Sequence, residues 1–120
     1  MNTRDRGIAG ESAAAAYLQG KGFVIVERNY RTRYGEIDII AKNDEFLLFV
    51  EVKTRKNAVF AAASEHVTSG KIRRVRTTAE IWLSERDGQE LTPRFDVIEV
   101  YAPDGIKSGS EHIVHIENAF

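Results

Sequence analysis

Gly35-Glu36-Ile37-Asp38-Ile39-Ile40 and, beyond the polar Lys42-Asn43-Asp44-Glu45, Phe46-Leu47-Leu48-Phe49-Val50-Glu51-Val52-Lys53-Thr54-Arg55 form the stretch that decides the fold. Two apolar runs joined by a short polar turn predict an antiparallel pair of strands, Glu36 to Ala41 and Phe46 to Thr54, the second buried on both faces for much of its length. Three charges interrupt those runs: Asp38 in the first, Glu51 and Lys53 at the end of the second. A charge taken into an apolar layer costs several kcal/mol unless it is paired or holds a metal, so folding alone gives little reason for them.

Residues two apart on a strand share a face, so Glu51 and Lys53 project together while Val50 and Val52 project into the opposite layer, and the hairpin brings Asp38 close. Magnesium takes oxygen ligands, keeps several waters and uses one or two protein carboxylates beside substrate phosphate oxygens. Asp38 and Glu51, with the Val52 carbonyl, suit Mg²⁺ or Mn²⁺, and Lys53 is placed to orient a water or to meet charge developing at phosphorus. The competing reading is a surface ion-pair ladder in which Glu51 and Lys53 simply bridge each other.

Before the hairpin, residues from about Gly7 to Gly20 read as a helix with Ile8, Ala15 and Leu18 on its apolar stripe and Gly20 or Gly22 as terminator. Glu11 falls on that stripe, and Ala15 at i+4 offers it no cation. Two readings of Glu11 are open: a further acid reaching the metal cluster from the helix, or an exposed residue on a helix of different phase. Phe23 to Tyr30 reads as a strand. After the hairpin, no period holds from Lys56 to Gly70, which predicts a long loop. Thr68 or Ser69 then caps a second helix to about Ser84, with Ile72, Val75, Ala79, Trp82 and Leu83 on its apolar stripe and Trp82 as a core anchor. Pro93 breaks the chain before a strand from Arg94 to Tyr101, and His112 to Glu117 reads as a short edge strand. The order is αβββαβ with a trailing strand.

A chain of 120 residues predicts one domain, since two cores would each be marginal. With 42% hydrophobic and 29% charged residues and no apolar run near the roughly 20 residues that cross a bilayer, it does not read as a membrane protein. Met1 to Gly7 leads into a segment containing Glu11 rather than an apolar core, which argues against a signal peptide, and the lack of cysteine fits a cytoplasmic location. The net charge of −1 hides a division: residues 1–76 carry 14 Lys and Arg against 9 Asp and Glu, the remainder 3 against 9. The local field decides polyanion binding, and the basic residues flank the hairpin: Arg28, Arg31 and Arg33 before it, Lys53, Arg55 and Lys56 at its end, Lys71, Arg73, Arg74 and Arg76 beyond. Solvated faces are the alternative for each cluster.

The set Gly7-x-x-Gly10-Glu11, Asn29-Tyr30-Arg31-x-Arg33-x-Gly35-Glu36-Ile37-Asp38, Phe49-Val50-Glu51-Val52-Lys53-Thr54-Arg55, Lys71 and Arg94-Phe95-Asp96-Val97 resembles the bacterial YraN-like family, in the Holliday-junction-resolvase-like branch of the restriction-endonuclease-like proteins. The likeness covers nearly the whole chain. It implies an α/β restriction-endonuclease-like core with a mixed central sheet flanked by helices, Asp38, Glu51 and Lys53 in catalytic positions, Glu11 as the helix acid, and a homodimer. Ala61 departs from the glycine expected there. The function these readings imply is metal-dependent hydrolysis of phosphodiester bonds in structured DNA, with Arg31, Arg33, Arg55, Lys71, Arg73 and Arg74 gripping the backbone. The rivals are a catalytically silent nucleic-acid-binding module and a protein-interaction domain. Among weaker signals, His66 reads as solvated rather than as a base, His112 and His115 point to opposite faces, and Asp96 reads as a structural hydrogen-bonding acid.

Overall fold

The computed structural model describes residues 3–55, 68–86, 90–101 and 112–120, with side chains from residue 7 onward. Within these the chain runs α1 (Thr3–Gly20), β1 (Val24–Thr32), β2 (Gly35–Lys42), β3 (Phe46–Arg55), α2 (Ser69–Ser84), β4 (Thr92–Tyr101) and β5 (His112–Ile116). The expected loop from Lys56, with His66 and Ala61, lies outside the described residues up to Thr68.

One five-stranded sheet of order β1-β2-β3-β4-β5 forms the middle layer. All neighbours are antiparallel except β3 and β4, whose parallel pairing α2 connects. Helix α1 covers one face over Ile39, Ala41, Leu48, Val50, Ile98 and Val100. Helix α2 covers the other, where Val75, Ala79 and Trp82 meet Ile37, Ile40, Leu47 and Phe49. Strand β3 supplies both layers, which is why its run of four buried residues shows no alternation. Trp82 is the anchor expected of it: it is buried, packs edge-on against Phe49, and its indole N–H donates to Glu27 at 3.0 Å.

Local signals explain the boundaries. The Asn43 side chain accepts from the backbone N–H of Glu45 and Phe46, closing the β2–β3 turn. Gly22, at φ +95, ends α1: the N–H of Phe23 donates to the Leu18 carbonyl and that of Gly22 to Gln19, and Phe23 and Leu18 share the core below. Thr68 caps α2 by accepting from the Lys71 N–H.

Three expectations are corrected. Helix α1 starts at Thr3, and its buried stripe runs through Gly10, Ala14, Ala15 and Leu18 rather than Ile8, which is 51% exposed. The reason is close approach: a Cβ on Gly10 would collide with Thr54 Oγ1, so the helix is drawn onto the end of β3 along its smallest residues. Strand β1 runs on to Thr32 and turns through Arg33-Tyr34, a pair without the Gly or Asn that usually marks a two-residue hairpin. Pro93 stands inside β4, paired with Leu47; β5 reaches only to Val97, so one side of β4 is open there and a missing N–H breaks no ladder.

Gly10→Ala should therefore destabilise the protein by about 1 kcal/mol in urea unfolding, overpacking against Thr54 exceeding the helix-propensity gain. In a Thr54→Ala background the same change should turn neutral or stabilising. Destabilisation of equal size in both backgrounds would assign the cost to something other than this contact.

Candidate active site where β2 and β3 part

The β2–β3 ladder ends at Ile39↔Val50. Beyond that pair the Asp38 carboxylate, not a β2 carbonyl, accepts from the Val52 N–H at 2.8 Å. The strands part here because β1 and β2 change phase together. Arg28 and Ile39 face α1, whereas Tyr30 and Ile37, two residues along each strand, face α2. On regular strands those residues would share a face. Between the pairs Arg28↔Ile39 and Tyr30↔Ile37 stand Asn29, in the left-handed conformation at φ 55, and Asp38. The phase change turns the Asp38 side chain toward β3, into the gap between the strands.

Other groups converge on that gap. Glu51 and Lys53 share the α2 face of β3, with Lys53 Nζ 3.2 Å from Glu51 Oε1. Lys71, in the first turn of α2, pairs with the same oxygen. Glu51 Oε2 is buried and has no hydrogen-bond partner. From the other side of the sheet, α1 brings Glu11, 3.9 Å from the Arg28 guanidinium and near enough for its charge to act on Asp38. A cavity of about 370 Å³ opens on the α2 side, lined by Gly35, Glu36, Asp38, Glu51, Lys71 and Arg74 with Val75.

Burial pushes the Asp38 carboxyl up to about 7. The Val52 N–H opposes the shift; the charge of Glu11 and the hydrogen bond and charge of Glu36 add to it. Acids are thus gathered more closely than the local cations neutralise. Among the described residues no three acidic or histidine side chains form a ready-made cation cage. Two carboxylates and a backbone oxygen do face the gap, because a residue's N–H and C=O project to the same side of an extended strand and the Val52 N–H points at Asp38. That donor set is all hard oxygen, and it fits a cation that keeps most of its ligands as water.

The structure brings Asp38, Glu51, Lys53 and Val52 to one place, while Glu11 is half-buried on the α1 side, paired with Arg28, and its charge reaches Asp38. Of the basic residues, Arg74 lines the cavity and Arg73, the residue before it on α2, is exposed. Arg31 pairs with Glu36 at the cavity edge, and Arg33 stacks over Tyr34, 4.9 Å from the ring centre, in the adjoining turn. Arg55 closes β3 two residues past Lys53, half-buried. Lys71, expected among the residues that grip the backbone, lines the cavity and pairs with Glu51. Glu36 was absent from the expected site, although the two-residue spacing that groups Glu51 with Lys53 also groups it with Asp38.

Asp96 is the structural acid expected. Fully buried, it accepts from both arms of Arg94 at 2.9 Å and from the Asn118 N–H at 3.0 Å, and lies 2.7 Å from His115 Nε2. Tyr17 in turn reaches His115 Nδ1 at 3.2 Å.

Fold and site together define an α/β protein with a helix on each face of a five-stranded mixed sheet and an acid-and-lysine cavity where two central strands diverge. The chain belongs to the uncharacterised protein family UPF0102, whose profile it matches over residues 10–100. It is 44% identical over 114 residues to a UPF0102 protein of Geotalea daltonii, covering 95% of this chain and 87% of that one. A UPF0102 protein of Caldicellulosiruptor saccharolyticus is 40% identical over the full length of both chains, and one of Nocardia farcinica 43% identical over 107 residues, 89% of this chain and 84% of its own. The family match spans Glu11, Asp38, Glu51, Lys53 and Lys71.

The raised Asp38 value carries a pH signature. From its ordinary 3.8 to about 7 the folded chain holds a proton that the unfolded chain has released. Stability from this group is therefore full below the lower limit, falls as pH rises through the window and is level above it. Urea unfolding of parent and Asp38→Asn should differ most in the parent's favour at the acid end, and the difference should shrink toward neutrality. Glu11→Gln should lower the upper limit of the window. A difference independent of pH would mean that Asp38 ionises like a solvated carboxylate.

Proposed function

We propose that the protein is a divalent-metal-dependent endonuclease of restriction-endonuclease-like architecture that hydrolyses phosphodiester bonds in structured DNA. The observation that carries this reading is the convergence of Asp38, Glu51 and Lys53 at the parting of β2 and β3, with a buried Glu51 oxygen lacking a partner. A buried acceptor of that kind calls for an ion or a donor.

Asp38, Glu51 and the Val52 carbonyl would hold Mg²⁺ or Mn²⁺. Once bound, such an ion supplies charge stabilisation at the phosphoryl oxygens and a more acidic water. The chain's own residues do the rest. Asp38 is held by the Val52 N–H, which orients its carboxylate in the gap. Lys53, held by Glu51, presents an ammonium where negative charge grows as the water oxygen bonds to phosphorus and the bridging P–O bond breaks in line. Arg74 in the cavity wall and Arg31 paired with Glu36 at its edge, together with Arg33, Arg55 and Arg73, would meet the flanking phosphates, contacts that position a backbone without reading base edges. A homodimer working in the cytoplasm completes the reading.

One observation favours the alternative, a nucleic-acid-binding module without hydrolysis: Glu51 already carries two lysines. Cleavage of duplex, flap, four-way-junction and single-stranded DNA with Mg²⁺ or Mn²⁺ separates the two. The nuclease reading expects cleavage of at least one substrate, and Lys53→Ala should slow it by about a hundred- to a thousandfold with DNA affinity nearly kept. Calorimetry should register weak Mn²⁺ binding that Asp38→Ala abolishes. No cleavage with either metal, and unchanged DNA binding in Lys53→Ala, would put the silent module in its place.

Under either reading DNA affinity should fall with salt by a log–log slope of about −0.9 per phosphate contacted, and replacing Arg73 and Arg74 by alanine should flatten it. An unchanged slope would place both arginines away from the bound strand.

A further inference from the structure

Lys71 is the site group with the weakest reason to stay where it is. It lies in the first turn of α2, a helix with no acidic residue in that turn, so its ammonium sits at the positive end of the helix dipole. Arg74, one turn on, lines the same cavity and repels it. Its hold is Glu51 Oε1, which Lys53 also occupies at 3.2 Å, so two ammonium groups crowd one oxygen while Oε2 has no partner. The Lys53–Glu51 contact is intrinsic to a strand, the residues being two apart on one face. The Lys71 contact joins separate elements through a long unbranched stem, and its side chain is 33% exposed against 19% for Lys53. Withdrawing Lys71 would leave Glu51 with a cation and relieve a like-charge contact.

We infer that Lys71 is a displaceable counterion of Glu51: its ammonium neutralises the carboxylate while no divalent cation is bound, and turns into the cavity beside Arg74 to meet the phosphodiester when one is. The inference rests on the cation-binding reading above and deepens it, coupling metal loading to the grip on substrate. A divalent ion held by Asp38 and Glu51 would repel the ammonium, and the cavity that Lys71 already lines is the adjacent space it can enter. A phosphate entering there carries the negative charge that Lys71 gives up on leaving Glu51. Reciprocity follows: if the metal frees Lys71 for the phosphate, the phosphate must favour the metal by the same factor.

The test uses the full chain at constant ionic strength, with Mn²⁺ alone and then a DNA four-way junction as probes. Removing a competing charge at this range should be worth roughly a factor of ten, so Lys71→Met should bind Mn²⁺ about tenfold more tightly than the parent. Lys42→Met, which removes the same charge at the far end of β2, should stay within about twofold. Junction affinity should drop about tenfold in Lys71→Met when Ca²⁺ is present, and match the parent in chelator. Lys71→Gln should repeat the pattern if the methionine variant folds poorly. Equal Mn²⁺ affinity in parent and both Lys71 variants, or a loss of junction affinity equal with and without Ca²⁺, overturns the inference while the nuclease reading stands. Failure of the parent itself to bind Mn²⁺ removes the cation site and the inference with it.

Discussion

The hydrogen bond from the Val52 N–H to the Asp38 carboxylate is the constraint on which the site depends. It stands where the next rung of the β2–β3 ladder would be, and so answers two requirements together. The backbone donor left by the parting strands is satisfied, as a buried donor must be, and the carboxylate that satisfies it is held in the gap. Were β2 to continue in register, Asp38 would project to one face of the sheet and Glu11, across the sheet from Glu51, could not act on the same group. The parting admits side chains from both helices to one locus. Its geometric origin is the phase change at Asn29 and Asp38, and Asn is among the few residues that adopt the left-handed conformation at modest cost.

Much of this was legible in the residues. The hairpin, the αβββαβ order, the cap of α2 and the grouping of Asp38, Glu51 and Lys53 all rest on short-range rules: period-two burial, a polar turn, a threonine before a helix. Where the reading went astray, the deciding interaction was long-range. Ile8 has the right spacing for the apolar stripe of α1, but the stripe is set by how closely Gly10 lets the helix approach Thr54, which no window of the helix contains. The pairing of Lys71 with Glu51 is likewise long-range, since α2 and β3 bring the two together across twenty residues of sequence. Arg33-Tyr34 carries no hairpin signature, and the partner that holds this turn, Gly35 against Arg74 and Thr78, is some forty residues away.

Glu36 stands two residues before Asp38, the same spacing that groups Glu51 with Lys53. The strand it sits on does not keep period two at Asp38, so the rule gives the right neighbour there for a partly wrong reason. What places Glu36 at the cavity is its contact with Asp38 and Arg31 at the mouth of the β1–β2 turn.

The two aspartates of the sheet, Asp96 fully buried and Asp38 half-buried, sit in opposite electrostatic surroundings. Burial pushes both carboxyls upward. At Asp96 the rise is overcome by His115, both arms of Arg94 and the Asn118 N–H, which hold the group below its ordinary value. At Asp38 burial dominates, the Val52 N–H opposes it and the charges of Glu11 and Glu36 add to it, so it ends near 7. The same chain thus surrounds one aspartate with all the donors it needs and leaves the other short. A structural acid has nothing to gain from the second arrangement, because unopposed burial and repulsion both count against folding at neutral pH. An acid that must take up a cation does gain, since the repulsion that destabilises the bare cluster is what the cation removes on binding. On the cation-binding reading proposed above, Asp38 would share its charge with Glu51 on a bound ion, whereas the contacts of Asp96 to His115 and Asn118 hold β5 and the segment after it in place.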